Sequence, residues 1–460
     1  MTTTATIRSA APYLRSWVEA QAAHRRVPGV QVAVRSGDEL VLSAAVGVAD
    51  ETTGAPLTTE HLFPVASHSK TFTATAVLQL AEAGRIRLDD PIGRHVPELE
   101  GSDVAAVTVR ELLGHQGGVV RDGARADFWQ LEQPFPDRDG VLREVLRAGA
   151  VHRRNEHFKY SNAGYGLLGM AVEAVTGTSY ADHLRRAVVE PLGLRRTGPD
   201  HDPARAGEYA AGHTGLLLGA TTRETIAPAP TGAMAAATGF WSTAEDLCTY
   251  GAAHFLGDER LLTDGSKRLM QRLESVVTAY GREVGRYGVG MALQEVGERQ
   301  LVGHSGGYPG HITLTLVDPV GRLVVSVLTN AVDGPAEGLA VGLVKLVDLA
   351  LAPRAEVAAP PAGAPTTSFT GRFASLWGVL DVAELGGRLV LVRPTADDPL
   401  PGAEELEVVD DDTLRVAAQP GFGPAGELVP VQRDAAGRAV SLRLGGVTHR
   451  RLAGTPARRT

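Results

Sequence analysis

Ile312-Thr-Leu-Thr-Leu-Val317 and Leu323-Val-Val-Ser-Val-Leu328 are two apolar, β-branched runs separated by Asp318-Pro-Val-Gly321. The composition predicts two strands and the Asp-Pro and Gly punctuation predicts a reversal, so the segment reads as a hairpin. A long apolar helix, Ala336 to Leu351, follows it. Working back to the N-terminus, a helix is expected over Ser9 to His24, with a turn at Val27-Pro28-Gly29. Val30-Gln-Val-Ala-Val34 and Leu40-Val-Leu-Ser43 then flank Ser36-Gly37-Asp38 as a second hairpin. A helix from about Ser69 to Ala83 ends at Gly84. Residues from about 100 to 280 mix helical segments with Gly/Pro-rich loops. Strands, helices, strands and a final helix in that order predict an α+β fold, with an antiparallel sheet packed by helices rather than alternating βαβ units.

Composition divides the remainder. Residues 353–367 are rich in Pro and Ala and read as a linker, so residues 1–352 form one expected domain. Beyond it, Leu389-Val-Leu-Val392, Leu428-Val-Pro-Val431 and Val440-Ser-Leu-Arg-Leu444 are short runs between turns. They predict a small all-β domain over 368–454, within 368–460. Charge narrows the partners. A net charge of −8 gives no basic footprint, which argues against nucleic acid or an anionic membrane as a partner. The N-terminus lacks the charged start and apolar run of a signal peptide, so a cytoplasmic protein is expected. The single cysteine, Cys248, reads as a small buried hydrophobe. The chain has four lysines (Lys70, Lys159, Lys267 and Lys345) against forty-one arginines. A buried lysine can give up its proton near neutral pH and an arginine cannot. Two of the four lie in the motifs below.

Phe63-Pro-Val-Ala-Ser67-His-Ser-Lys70 places Ser67 at a helix start and Lys70 three residues on, hence on the same face. A neutral amine there can take the Ser67 hydroxyl proton, and a helix N-terminus favours the developing negative charge. The plain alternative is that Ser67 or Ser69 caps the helix and Lys70 is solvated. Phe158-Lys-Tyr160-Ser-Asn162 offers a phenol to relay protons, its pKa lowered by nearby cations, and an amide to bind a substrate amide. Leu301-Val-Gly303-His304-Ser-Gly-Gly307 reads as a strand ending in small residues at a cleft edge, with a histidine able to share protons with Tyr160. Gly303-His-Ser305-Gly-Gly307 also fits G-x-S-x-G, but a strand rather than a helix is expected after it, so Ser305 makes a poor nucleophile.

Ser-x-x-Lys, Tyr-x-Asn and His-x-Gly at 67, 160 and 304 together resemble the class C β-lactamase and penicillin-binding-protein-like serine hydrolases. Val27-Pro-Gly29, Leu112-Leu-Gly-His115-Gln-Gly-Gly118, Gly239-Phe-Trp-Ser-Thr-Ala-Glu-Asp246 and Tyr287-Gly-Val-Gly290 are similar to the same family, over about residues 12–350. The resemblance implies a β-lactamase-like antiparallel sheet, an all-helical subdomain and a lipocalin-like C-terminal β-barrel. It implies that Ser67 attacks a carbonyl while Lys70 and Tyr160 exchange the proton, and that Asn162 and His304 orient substrate and complete the network. Backbone N–H groups of Ser67 and Gly307 would form the oxyanion hole, and no cofactor or metal is called for. Penicillin-type members usually carry lysine where this chain has His304. Members with histidine there include esterases, D-aminopeptidases and penicillin-binding-protein-type thioesterases that release and cyclise nonribosomal peptides. The expected substrate is therefore a D-aminoacyl or peptidyl ester or thioester, with a carrier protein as one route of delivery. A carboxylate on it would need another anchor, for which Arg450 and Arg451 are the candidates. Because strand neighbours face opposite sides, only one of the two can serve.

Overall fold

The computed structural model describes residues 2–353, 366–418 and 423–452. Most of the expected linker, residues 354–365, lies outside the described residues. By packing, the chain forms two compact units. One holds the described residues from Arg26 to Ala340, and the other those up to Arg25 together with those from Val341 onward. Composition draws a boundary after residue 352, whereas packing draws its lines at Arg25 and Ala340.

The larger unit is built on a nine-stranded sheet. Its strands are β1 (Gly29–Ser36), β2 (Glu39–Asp50), β3 (Ala55–Pro56), β4 (Ser275–Ala279), β5 (Arg282–Tyr287), β6 (Ala292–Val296), β7 (Arg299–Tyr308), β8 (His311–Asp318) and β9 (Leu323–Thr329). The spatial order is β3-β2-β1-β9-β8-β7-β6-β5-β4, and every pairing is antiparallel. The quoted hairpin forms at the centre of the sheet, with Val317 opposite Val324 and Ile312 opposite Thr329. All seven residues of β9 are buried, which explains why that run is apolar without alternation. Sheet order thus brings the two ends of this unit together, β1 beside β9.

Residues between the two groups of strands are mainly helical. Helix α2 (Ser69–Glu82) runs from the Ser67 turn to Gly84, whose φ of +67° lets the chain leave the helix. Thr71, Phe72, Thr73, Ala74, Thr75, Ala76 and Val77 in it are all buried, so α2 is a core helix rather than an amphipathic one. Helix α4 (Asn162–Thr176), preceded by α3 (Arg138–Ala148), packs against α2. Ser161 caps α4 by accepting the Gly164 N–H at 2.8 Å. Helix α5 (Ala244–Ala252) lies on β1, β8 and β9 and carries Cys248. Cys248 is fully buried and its thiol is pushed up to about 12 by that burial, so it behaves as the inert hydrophobe expected.

The smaller unit contains a closed eight-stranded antiparallel barrel, β10 (Gly371–Ser375), β11 (Gly378–Leu385), β12 (Arg388–Val392), β13 (Glu404–Asp410), β14 (Thr413–Val416), β15 (Leu428–Arg433), β16 (Ala439–Leu444) and β17 (Val447–Arg451). Phe373, Leu391, Leu414, Val429 and Leu442 fill its interior, as the eight-strand diameter requires. One helix and the greater part of another belong to this unit. Helix α1 spans Thr3–Arg25, starting six residues before the expected Ser9 and continuing through Pro12, because Ile7, Ala10 and Ala11 are buried on the same face as Leu14, Trp17 and Val18. Gln21 donates to the carbonyls of Pro394 and Ala396 at 2.8 and 2.7 Å, and Arg25 pairs with Asp397. From α6 (Ala336–Leu351), Lys345 pairs with Asp398, and a Cβ added at Gly342 would lie 2.3 Å from the Trp17 ring.

Candidate active site

Ser67 sits in a short turn, Ala66–His68, that leads directly into α2. Ala66 before it has φ of +47°, a left-handed backbone that costs a non-glycine residue on the order of 1 kcal/mol. The surroundings hold it there. Ser69 Oγ donates to Ala66 O at 2.6 Å and accepts the Phe240 N–H at 2.9 Å, while Val65 N–H donates to Phe240 O at 2.8 Å. His68 donates from Nδ1 to Val65 O at 2.8 Å, and its Nε2 meets Thr315 Oγ1 of β8 at 3.0 Å. Ser69 is thus a brace rather than a cap, and the turn is fastened to the sheet.

Lys70 is fully buried, not solvated. Its Nζ lies 3.2 Å from Ser67 Oγ, 2.8 Å from Asn162 Oδ1 and 2.9 Å from Ala237 O. Burial drives its pKa well below the ordinary lysine value; Asp122 opposes the shift and Arg121 adds to it. A neutral amine has two N–H groups and one lone pair. The two donors satisfy Asn162 Oδ1 and Ala237 O, which leaves the lone pair for the Ser67 hydroxyl proton. Tyr160 approaches from the other side, its hydroxyl 2.8 Å from Ser67 Oγ. Here the sequence expectation is corrected: burial outweighs nearby cations and pushes the Tyr160 phenol well up, so it rests protonated as a donor. Ser67 is half-buried, open enough to meet a carbonyl.

Asn162 is also corrected. Its side chain is buried, with Oδ1 on Lys70 and Nδ2 donating to Asp122 Oδ1 at 2.7 Å, so it orients the lysine rather than reaching out to a substrate amide. His304 lies on β7 with its ring centroid 6.4 Å from that of Tyr160, and its partner is a different tyrosine, Tyr287. Nδ1 donates to Ser305 O at 2.6 Å, which fixes the tautomer and leaves Nε2 to accept from Tyr287 OH at 3.1 Å. Burial pushes His304 down to about 3, so it is neutral at physiological pH.

Strand β7 supplies the cleft edge. Its pairing with β6 ends at Gly303, opposite Ala292, while its pairing with β8 continues to Tyr308. Beyond Gly303 it runs beside the Ser67 turn, so closely that a Cβ at Gly306 would lie 2.2 Å from Val65 O. Gly307 is exposed, and a Cβ added there would meet only the Ile312 side chain, at 3.7 Å. Ser305 lies within β7 opposite Leu314, and strand β8 follows; the strand-to-helix elbow that G-x-S-x-G requires is not formed there.

Three further residues shape the site. Asp122 holds Asn162, and Tyr287 holds His304. His115, at φ of +58°, accepts the Ser161 N–H on Nδ1 at 3.2 Å and places its ring centroid 4.4 Å from that of Tyr160. His115 and Tyr287 stand in stretches that mark the family resemblance, but nothing in their local spacing reveals these contacts. Of the two arginines nominated in the barrel, Arg451 donates to the carbonyls of Ala439 and Thr370 and lies 5.1 Å from the Phe373 ring centroid, so its fork is occupied within the barrel. Arg450 is exposed on β17.

The model of the family described as Beta-lactamase matches residues 14–347. The chain belongs to the β-lactamase family. Among similar proteins, penicillin-binding protein 4 of Amycolatopsis lactamdurans is 29% identical over 357 residues, covering 73% of this chain and 89% of that one. The crystal structure of SurE is 26% identical with a TM-score of 0.63, covering 98% of this chain and all of that one. D-amino acid amidase from Ochrobactrum anthropi SV3, complexed with L-phenylalanine amide, is 25% identical with a TM-score of 0.63, covering 74% of this chain and all of that one. The β-lactamase fold places the chain among serine hydrolases. Among the described residues, no helix is long and apolar enough to cross a membrane.

Proposed function

We propose that this protein is a serine acyl-enzyme hydrolase or acyltransferase acting on D-aminoacyl or peptidyl esters and thioesters, and that it releases and cyclises nonribosomal peptides. The observation that carries the reading is the pair of contacts on Ser67 Oγ, a deprotonatable Lys70 at 3.2 Å and a protonated Tyr160 at 2.8 Å. Lys70 takes the hydroxyl proton as Oγ bonds to the carbonyl carbon. The backbone N–H groups of Ser67 and Gly307 receive the oxyanion, each such donor being worth about 3 kcal/mol. As the tetrahedral intermediate collapses, the carbonyl-to-leaving-group bond breaks and Tyr160 donates its proton to the departing thiol or alcohol, regaining one from Lys70. The acyl group then passes from Ser67 to water or to an amine of the same chain, the incoming proton returning through Tyr160 and Lys70 to Ser67.

Substrate class rests on two supports. A neutral, buried His304 provides no fixed charge in the third motif for the carboxylate that penicillin-type substrates carry. SurE, which matches along the whole chain with its barrel, has also been solved with D-Leu. The D-amino acid amidase likeness favours a second reading, hydrolysis of D-aminoacyl amides or esters without cyclisation. The test is a panel of peptidyl thioesters, p-nitrophenyl esters and D-aminoacyl amides, with products weighed by mass spectrometry and Ser67→Ala as control. Ser67-dependent appearance of a product lighter than the linear acid by one water, the mass of the macrocycle, supports release by cyclisation. Linear acids alone favour the hydrolase, and turnover that survives Ser67→Ala rejects the mechanism.

A further inference from the structure

A carboxylate-bearing acyl chain at this site needs a permanent cation, and the third motif supplies none. The described residues hold one beside Tyr160 that the motifs do not reveal. Arg121 follows Gly117-Gly118-Val119-Val120, and its carbonyl accepts the N–H groups of Asn162 and Ala163, both at 2.9 Å, which pins its backbone to the start of α4. Its guanidinium carbon lies 5.8 Å from the centroid of the Tyr160 ring, the ring whose hydroxyl touches Ser67. Its Nε lies 3.0 Å from Asp122 Oδ2. The two members of that pair differ in exposure. The Asp122 side chain is 8% exposed and committed to Asn162, whereas the Arg121 side chain is 63% exposed. Among the described residues, neither terminal guanidinium nitrogen makes a hydrogen bond or ion pair. A buried carboxylate and an aromatic face therefore hold one corner of a planar fork and leave its bidentate edge for an incoming group.

We propose that Arg121 is a specificity-determining residue that binds a carboxylate of the substrate. With Tyr160 between the two groups, that carboxylate would lie a few residues along the chain from the reacting carbonyl, at about 3.5 Å of extended chain per residue. The inference rests on the reading of Ser67 as nucleophile, since it is the position beside Tyr160 that brings Arg121 to the substrate. Two origins of the carboxylate share this chemistry, an acidic side chain in the acyl group and a free terminal carboxylate.

The proposal is tested by binding, apart from turnover. In the Ser67→Ala protein, calorimetry compares acetyl-D-glutamyl amide with acetyl-D-glutaminyl amide, and acetyl-D-leucine with acetyl-D-leucine amide. Each pair differs in one carboxylate, so whichever shows a preference for the acid identifies its origin. Adding Arg121→Gln should cut that preference by about tenfold or more, and Arg121→Lys should restore part of it. The same split should appear in the active enzyme as a rise in KM for acidic substrates relative to neutral ones. An equal change for acidic and neutral ligands, no preference in either pair, or a preference abolished by Arg450→Ala instead, overturns the assignment. Labelling of wild-type protein by a fluorophosphonate reports on Ser67 alone. Its failure would reject the nucleophile whatever the calorimetry shows.

Discussion

At Lys70 the decisive fact is that burial disfavours its charged form while leaving its geometry as a base intact. An arginine there would keep a charge the site does not use and could not accept a proton. Lys70→Arg should therefore be about as inactive as Lys70→Ala, both down by 10³-fold or more on the order of a lost general base. Substantial activity in Lys70→Arg, measured as kcat with a thioester, would show that position 70 supplies only charge. The sign of the pH dependence follows. Because the neutral amine is the working form, kcat/KM should fall as pH drops through the lowered pKa of Lys70 and plateau above it. Asp122→Asn removes a group that favours the ammonium, so the acidic limb of that profile should move to lower pH. Serine, lysine and tyrosine could be read as a set because each sits in a short spaced pattern. The inward turn of Asn162 and the pairing of His304 with Tyr287 could not, because those partners are remote in sequence and were chosen by packing.

Among the elements, β7 shows how a strand becomes a wall of a cleft. Its β6 partner stops at Gly303, and the free edge beyond continues against the Ser67 turn. Gly306 is the tightest point of that approach. Gly306→Ala would bring a methyl group against Val65 O and push the turn and strand apart by about 1 Å, enough to cost about 100-fold in kcat. Circular dichroism should stay native in that variant while fluorophosphonate labelling of Ser67 slows; unchanged labelling would mean that the strand edge does not set the geometry. The central hairpin and α6 were legible from period, turn residues and length, with α6 found at its expected limits. The start of α1 was not, because Pro12 signals a break that burial of its apolar face overrides.

For the molecule as a whole, buried histidines of the larger unit are expected to weaken stability in acid. His68 and His311 are pushed down to about 4 and His254 and His304 to about 3, in each case mainly by burial. In the unfolded chain they titrate near ~6.5. Their folded values lie below that, so the unfolded state binds more protons in acid. Their stability contribution is complete above about pH 6.5 and is lost as pH falls toward the folded values, at up to about 1.4 kcal/mol per histidine per pH unit. Tm should accordingly fall steeply between pH 6.5 and 4. Among the described residues neither ring nitrogen of His254 has a hydrogen-bond partner, so His254→Leu should flatten this slope without lowering Tm at pH 7.5, and a slope unchanged in that variant would remove His254 from the account.

The grip of α1 on the barrel, through Gln21 and Arg25, has a consequence for inheritance. A barrel is often pictured as a cassette that recombination can add or exchange at a linker. In this protein the first 25 residues carry the matching half of the fastening, so a crossover within 353–367 would separate Gln21 from the carbonyls of Pro394 and Ala396 and Arg25 from Asp397. A foreign barrel would meet a helix shaped for another. Substitutions around Trp17 and Gln21 are therefore expected to track those around residues 394–398 and, through Gly342 and Lys345, those in α6.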